Sequence, residues 1–184
     1  MNFAALVLLG GLYVASTEKM GPFIAEIQSF NACPPSKAGK NLAIFSSKQL
    51  RTNRKKFTLL LDAALAVDFT DAYSASAVVA KKTPQGWKDN YFRIEFKSIC
   101  TGMKQFIPEI LEGVTTHLKL KHRGCPIPAG NYSEIPINPV IEVKNIPAFF
   151  YSTFKVRIVG YNGTEVAGCF DVVAETKPKP SGNS

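Results

Sequence analysis

Histidine is nearly absent from this chain, with only His117 and His122 in 184 residues. They fall in no metal-ligand pattern, and no Cys-x-x-Cys pair occurs, so no metal site is expected. The chain also lacks Gly-x-Ser-x-Gly and any Ser/His/Asp grouping that spacing supports. The acidic pair Asp62 and Asp68 sits in an alternating pattern that turns both toward solvent. No catalytic residue and no cofactor are therefore assigned, and the reading is of a protein that is not an enzyme. Tryptophan occurs once, at Trp87, inside a segment (81–90) whose Pro84, Gly86 and Asp89-Asn90 predict a hairpin tip.

Long apolar runs are scarce as well. The one at the N-terminus, residues 3–15, is shorter than the roughly 20 residues a membrane-spanning helix needs. It ends in Val14-Ala15-Ser16, a small-residue cleavage pattern, which predicts a signal peptide over residues 1–17. The mature chain then enters an oxidising compartment, secreted or extracellular with a lysosome also open, and its four cysteines read as two disulfides. Four cysteines allow three pairings, and spacing selects none of them.

What is present is apolar residue, 46% of the chain, enough for one sizeable core. A single domain is expected over 18–176, followed by a disordered tail over 177–184 that is rich in proline and glycine. Net charge is +8. Secretion argues against nucleic acid as the partner of that charge. An anionic headgroup or a transient contact with a membrane surface suits it, as does a merely solvated basic face. The oligomeric state is not legible.

Period-two alternation dominates the pattern. Phe57, Leu59, Leu61, Ala63, Leu65, Val67 and Phe69 alternate as one strand would. Phe92, Ile94 and Phe96 alternate with Arg93, Glu95 and Lys97 as a half-buried antiparallel strand does. After Cys100 the spacing changes to threes and fours through Met103, Phe106, Ile107, Ile110, Leu111 and Val114. That predicts one short helical segment near 103–114, kinked at Pro108 or with Pro108 in its first turn. Pro136 and Pro139 exclude a central strand over their stretch.

The clearest hairpin turns at Tyr161-Asn162-Gly163-Thr164. A three-residue loop ending on Gly163 pairs Phe154 with Phe170, Val156 with Gly168 and Ile158 with Val166, and gathers apolar residues on one face. Cys169 then falls on the other face, beside Lys155. Asn162-Gly163-Thr164 and Asn131-Tyr132-Ser133 are glycosylation acceptors at predicted surface turns. Ala148-Phe149-Phe150-Tyr151 follows Pro147 and precedes a strand, which predicts a loop at the sheet's end. Two adjacent phenylalanines cannot both face one side of a sheet, so at least one is expected at a rim or against a membrane.

These last segments carry a resemblance. Cys125-Pro126, Gly130, Tyr132-Ser133, Ile146-Pro147-Ala148-Phe149-Phe150 and Gly168-Cys169 occur in the order seen in the C-terminal half of the ganglioside activator protein family. Asn31-Ala32-Cys33 resembles that family's early Asn-Cys, and the likeness spans 30–175, weak before Cys100 and good after Cys125. Insect chemosensory proteins of the CheB type are similar to that family. The resemblance implies a mostly β fold, an antiparallel β-cup or sandwich-like structure with an apolar cavity for acyl chains. It implies the disulfides Cys33–Cys169 and Cys100–Cys125, and an aromatic loop near the lipid surface. Vertebrate activators carry further cysteines with no counterpart here. The lipid-binding residues expected on this basis are Leu59, Leu61, Val67, Phe92, Ile94 and Phe96, then Phe149, Phe150, Phe154, Val156, Ile158 and Phe170. The function implied is lipid binding or transfer, with a chemosensory, semiochemical-binding protein as the alternative. A fully packed protein-binding sandwich would hold no ligand at all.

Overall fold

The computed structural model describes residues 18–37, 39–51, 53 and 56–180. Residues 1–17, where a signal peptide is expected, and residues 181–184 lie outside them. In chain order the strands are β1 (Met20–Gly21), β2 (Phe23–Ala32), β3 (Ala43–Arg51), β4 (Phe57–Leu65), β5 (Ser74–Thr83) and β6 (Gly86–Phe96). Two helices follow, α1 (Ile99–Phe106) and α2 (Pro108–His117). The chain ends with β7 (Gly130–Ile137), β8 (Val140–Ile141), β9 (Phe149–Phe150), β10 (Thr153–Asn162) and β11 (Glu165–Pro178). The fold is mostly β and sandwich-like, and its sheets do not close into a barrel.

The sheet order is β6-β5-β10-β11-β3-β4-β7, with β2 joined to β11 and β8 to β2. β11 is the strand where the sheet forks. Near its start, Gly168 bridges Ala43 of β3 in parallel. From Phe170 to Pro178 the same edge pairs antiparallel with β2. One wing is therefore β3-β4-β7 and the other is β6-β5-β10-β11-β2-β8. Period-two alternation turns Leu59, Leu61, Ala63 and Leu65 of β4, and Ala75, Ala77 and Val79 of β5, to the buried side. β7, which carries Pro136, is an edge strand beside β4, where a missing N–H is tolerated.

Several sequence expectations are corrected. The single helical segment is two helices, 99–106 and 108–117, split at Ile107. Pro108 occupies the first turn of the second, where its absent N–H has no helical partner to lose. The alternating run does not continue as strand through Phe69: β4 ends at Leu65, and Phe69 forms an isolated bridge with Ile127. The tip over 81–90 is much shorter, because β5 reaches Thr83 and β6 starts at Gly86. Asn90 breaks no strand. It sits in the left-handed region at φ 52, a conformation asparagine tolerates better than most residues, within a bulge where pairing passes from Val79↔Phe92 to Lys81↔Lys88. At the other end β11 runs to Pro178, two residues into the expected tail, with Lys177 paired to Ile24.

The final hairpin has a different register from the one expected. Its loop is Gly163-Thr164, with Asn162 opposite Glu165 and Gly163 at φ 61 in the first central position, where a tight turn favours glycine. A bulge between Gly160 and Tyr161 then sets Ile158 against Phe170, Val156 against Val172 and Phe154 against Ala174. Lys155 faces Val173, and Cys169 faces Val159. The offset from the expected register is even, so every side chain keeps its face. Matching apolar faces tells odd slips from even ones and cannot count bulges.

Both disulfides pair as the resemblance implies. Cys33–Cys169 has a Cα separation of 5.5 Å and closes 136 residues, and Cys100–Cys125 has 6.0 Å and closes 25. In the chain-entropy model they contribute roughly 5 and 3 kcal/mol. The first ties the end of β2 to the fork in β11, and the second holds α1 against the segment leading into β7.

The fork yields a prediction. A Cβ on Gly168 would lie 2.9 Å from the Ala43 carbonyl oxygen, whereas one on Gly160 would meet nothing closer than 3.9 Å. Gly168→Val is expected to cost about 2–4 kcal/mol in urea unfolding, and Gly160→Ala less than about 1 kcal/mol.

Candidate functional site

Between the wings, covered by the two helices, lies a cavity of about 330 Å³. Each element contributes its inward positions. β2 supplies Phe23, Ala25 and Ile27, β5 supplies Ala77 and Val79, β10 supplies Val156 and Ile158, and the helices supply Met103, Phe106 and Ile110. Among the described residues, the only polar side chain on the wall is Thr176. Its hydroxyl is already engaged, donating to the Phe150 carbonyl at 2.5 Å and accepting the Ser152 N–H at 3.0 Å. The wall offers a ligand neither charge nor free hydrogen-bonding groups. A site of this kind selects by shape and apolar burial, which is non-directional. Engineered apolar cavities of about 150 Å³ stay dry and bind small apolar molecules, and this one is more than twice that size.

Phe92, Ile94 and Phe96 are half-buried, while Ala77 and Val79 beside them on β5 are buried. β6 is an edge strand, and these side chains keep open surface because nothing fills the space before them. One end of the cavity is closed by rings. Phe149 lies 5.4 Å from Phe23, 5.5 Å from Phe92 and 5.0 Å from Phe154 between centroids. β9, which carries Phe149 and Phe150, is held by β1, with Met20 opposite Phe150 and Gly21 opposite Phe149. At the helical side, Phe96 meets Phe106 edge-on at 5.8 Å.

Nine of the twelve expected lipid-binding residues stand on this wall: Leu61, Phe92, Ile94, Phe96, Phe149, Phe154, Val156, Ile158 and Phe170. Leu59 does not. It is fully buried in the core with Ile135 and Ile137. Val67 lies beyond the end of β4 and lines a separate, much smaller pocket. Phe150 turns away from the wall, half-buried against Tyr91 at 6.0 Å. The two adjacent phenylalanines thus divide, one inward and one at the rim, on a short paired strand where a loop was expected.

Sequence reasoning missed the β2 residues, Val172 and Ala174 on β11, and the helix residues as wall. The alternation of Phe23, Ala25 and Ile27 was a usable signal. Which helix face meets a hollow depends on tertiary placement and leaves no local mark.

The remaining candidates have structural roles. Asp62 accepts the Glu134 N–H, and Asp68 accepts the Ala129 N–H, both at 2.8 Å. Trp87 lies on β6, not in a tip, with the amino groups of Lys82 and Lys155 each 5.1 Å from its ring. Asn131 and Asn162 are exposed at strand ends. Among the described residues no group of three His, Cys, Asp or Glu could hold a metal ion. No protein-family model matches this chain, and no curated protein sequence matches it.

A hollow interior can be told from a filled one by adding bulk. In a packed core a larger side chain costs about 1–3 kcal/mol. Val156→Phe, placed on the cavity wall, is expected to change unfolding stability by less than about 1 kcal/mol, as read from urea denaturation.

Proposed function

We propose that this protein is a secreted, non-enzymatic carrier of a lipid or similar apolar molecule, holding an acyl chain between the two wings. The observation that carries the reading is the 330 Å³ cavity with a wall apolar throughout except for Thr176. Each methylene moved from water into such a space contributes about 0.8 kcal/mol. Ten of them give roughly 8 kcal/mol, set against an association cost of similar size. The resemblance to the ganglioside activator family supports the same reading.

Size refines it. Small-molecule sites run from about 300 to 1,000 Å³, and this cavity is at the lower end. That favours one aliphatic chain over the paired chains of a glycosphingolipid. It also keeps the chemosensory alternative in play, since a hydrophobic semiochemical is a single small apolar molecule. Two disulfides support an oxidising compartment, secreted or lysosomal. Half-buried Phe150 and exposed Met20, with Lys19 next to Met20 in the chain, support transient contact with a membrane surface during loading.

Native mass spectrometry of the secreted protein, followed by solvent extraction, tests the reading. The expected result is a bound mass lost on extraction and identified as a single-chain lipid or apolar small molecule. A protein that carries nothing and takes up no neutral apolar probe would overturn it.

A further inference from the structure

Beside the cavity, just beyond its wall, one residue on the inner face of β5 carries a charge. Along β5 the inner face runs Ala75, Ala77, Val79 and then Lys81. Lys81 is paired with Phe154, a wall residue, so its side chain rises on the cavity side at the ring-closed end. It is only 8% exposed, and no other charged residue among those described is buried. Its Nζ lies 2.5 Å from a Glu18 carboxylate oxygen and 5.3 Å from the ring centroids of both Tyr91 and Phe150.

The counter-ion is less committed than the lysine. Glu18 is half exposed and stands on the N-terminal arm that leads into β1. Its other carboxylate oxygen is 3.5 Å from the Tyr91 hydroxyl, which donates to it. The hydrogen bond from Lys81, with lesser help from the field of Lys81, the Tyr91 hydroxyl and the field of Lys88, holds this carboxyl below its usual range against the opposing effect of burial. Lys88 is paired with Lys81 across β5 and β6, and its amino group is 5.6 Å from the Tyr91 ring. Two ammonium groups thus face one carboxylate at the end of an apolar channel.

Burying a lysine costs several kcal/mol unless it is paired. An aliphatic residue at this position would extend the wall at no such cost, so packing gives no reason for the charge. We infer that Lys81 is the headgroup anchor of the cavity and that the ligand is a single-chain amphiphile ending in a carboxylate. The inference rests on the carrier reading above and adds the chemistry of the head. The Glu18 carboxylate occupies the position the ligand's carboxylate takes. On loading, the ligand head replaces it at Lys81 and Tyr91, the rings of Phe149, Phe92 and Phe154 part to admit its chain to the cavity, and Glu18 turns to solvent. A neutral head leaves the Glu18–Lys81 pair intact and gains nothing from it.

The test is displacement of the neutral probe N-phenylnaphthylamine by palmitate and by cetyl alcohol, which share a chain and differ in head. Wild type is expected to prefer palmitate by about tenfold, the scale of one charge-assisted hydrogen bond. Lys81→Met removes the anchor and keeps the volume, and the preference falls to less than about twofold. Glu18→Gln removes the competitor at a half-exposed site and needs no refolding of the interior. It raises palmitate affinity about threefold or more and leaves the alcohol unchanged. Equal binding of acid and alcohol by wild type, or a preference that survives Lys81→Met, overturns the anchor and leaves the carrier intact. No displacement by either compound overturns both.

Discussion

β11 cannot hydrogen-bond to two neighbours along one edge at once. It pairs with β3 only around Gly168 and with β2 from Phe170 onward, and this switch divides the sheet into two wings. A continuous sheet would bury one face against the helices and leave no interior. The fork instead lets both wings turn their apolar faces toward one space. Gly168 makes the close approach possible, since any side chain there meets the Ala43 carbonyl. Cys33–Cys169 fixes the end of β2 beside the same point. The cavity is therefore a consequence of strand pairing and does not arise from a missing core residue.

A hollow has an energetic consequence. Side chains facing empty space lose the dispersion contacts that a packed interior supplies. The core that remains is concentrated where β4, β7 and α2 meet, around Leu59, Leu111 and Ile135, all almost fully buried. Two covalent links offset part of the loss by narrowing the unfolded ensemble. The rings at the closed end, Phe23, Phe92, Phe149 and Phe154, provide contact without filling the channel, because edge and tilted arrangements leave space between them.

Much of this was legible in the sequence at the level of faces. Alternation assigned Phe92, Ile94, Phe96, Phe154, Val156 and Ile158 to one side, and all six stand on the wall. Registers were not legible. The bulge at Asn90 shifts pairing by two residues and reverses no face, and the one-residue bulge between Gly160 and Tyr161 joins a two-residue loop to give an even offset from the expected register, so hydrophobic pattern is blind to both outcomes. Lys81-Lys82 before Thr83-Pro84 resembles a polar turn, yet the strand continues through it and carries Lys81 inward. Leu59 and Leu61 share one face and one alternation, but only Leu61 meets the hollow. Whether an inward residue meets another side chain or empty space depends on what lies across from it. A single chain's pattern does not encode that distance.

The central claim is that an aliphatic chain lies in the space between the wings. Nuclear Overhauser contacts from a carbon-13-labelled alkyl chain to assigned methyl groups test it most directly. The account predicts contacts to Ile94, Val156, Ile158 and Ile110, which come from both the sheet and the helix, and none to the fully buried Leu59. Contacts confined to surface methyls such as Leu50 and Val140, with the wall residues silent, would contradict it.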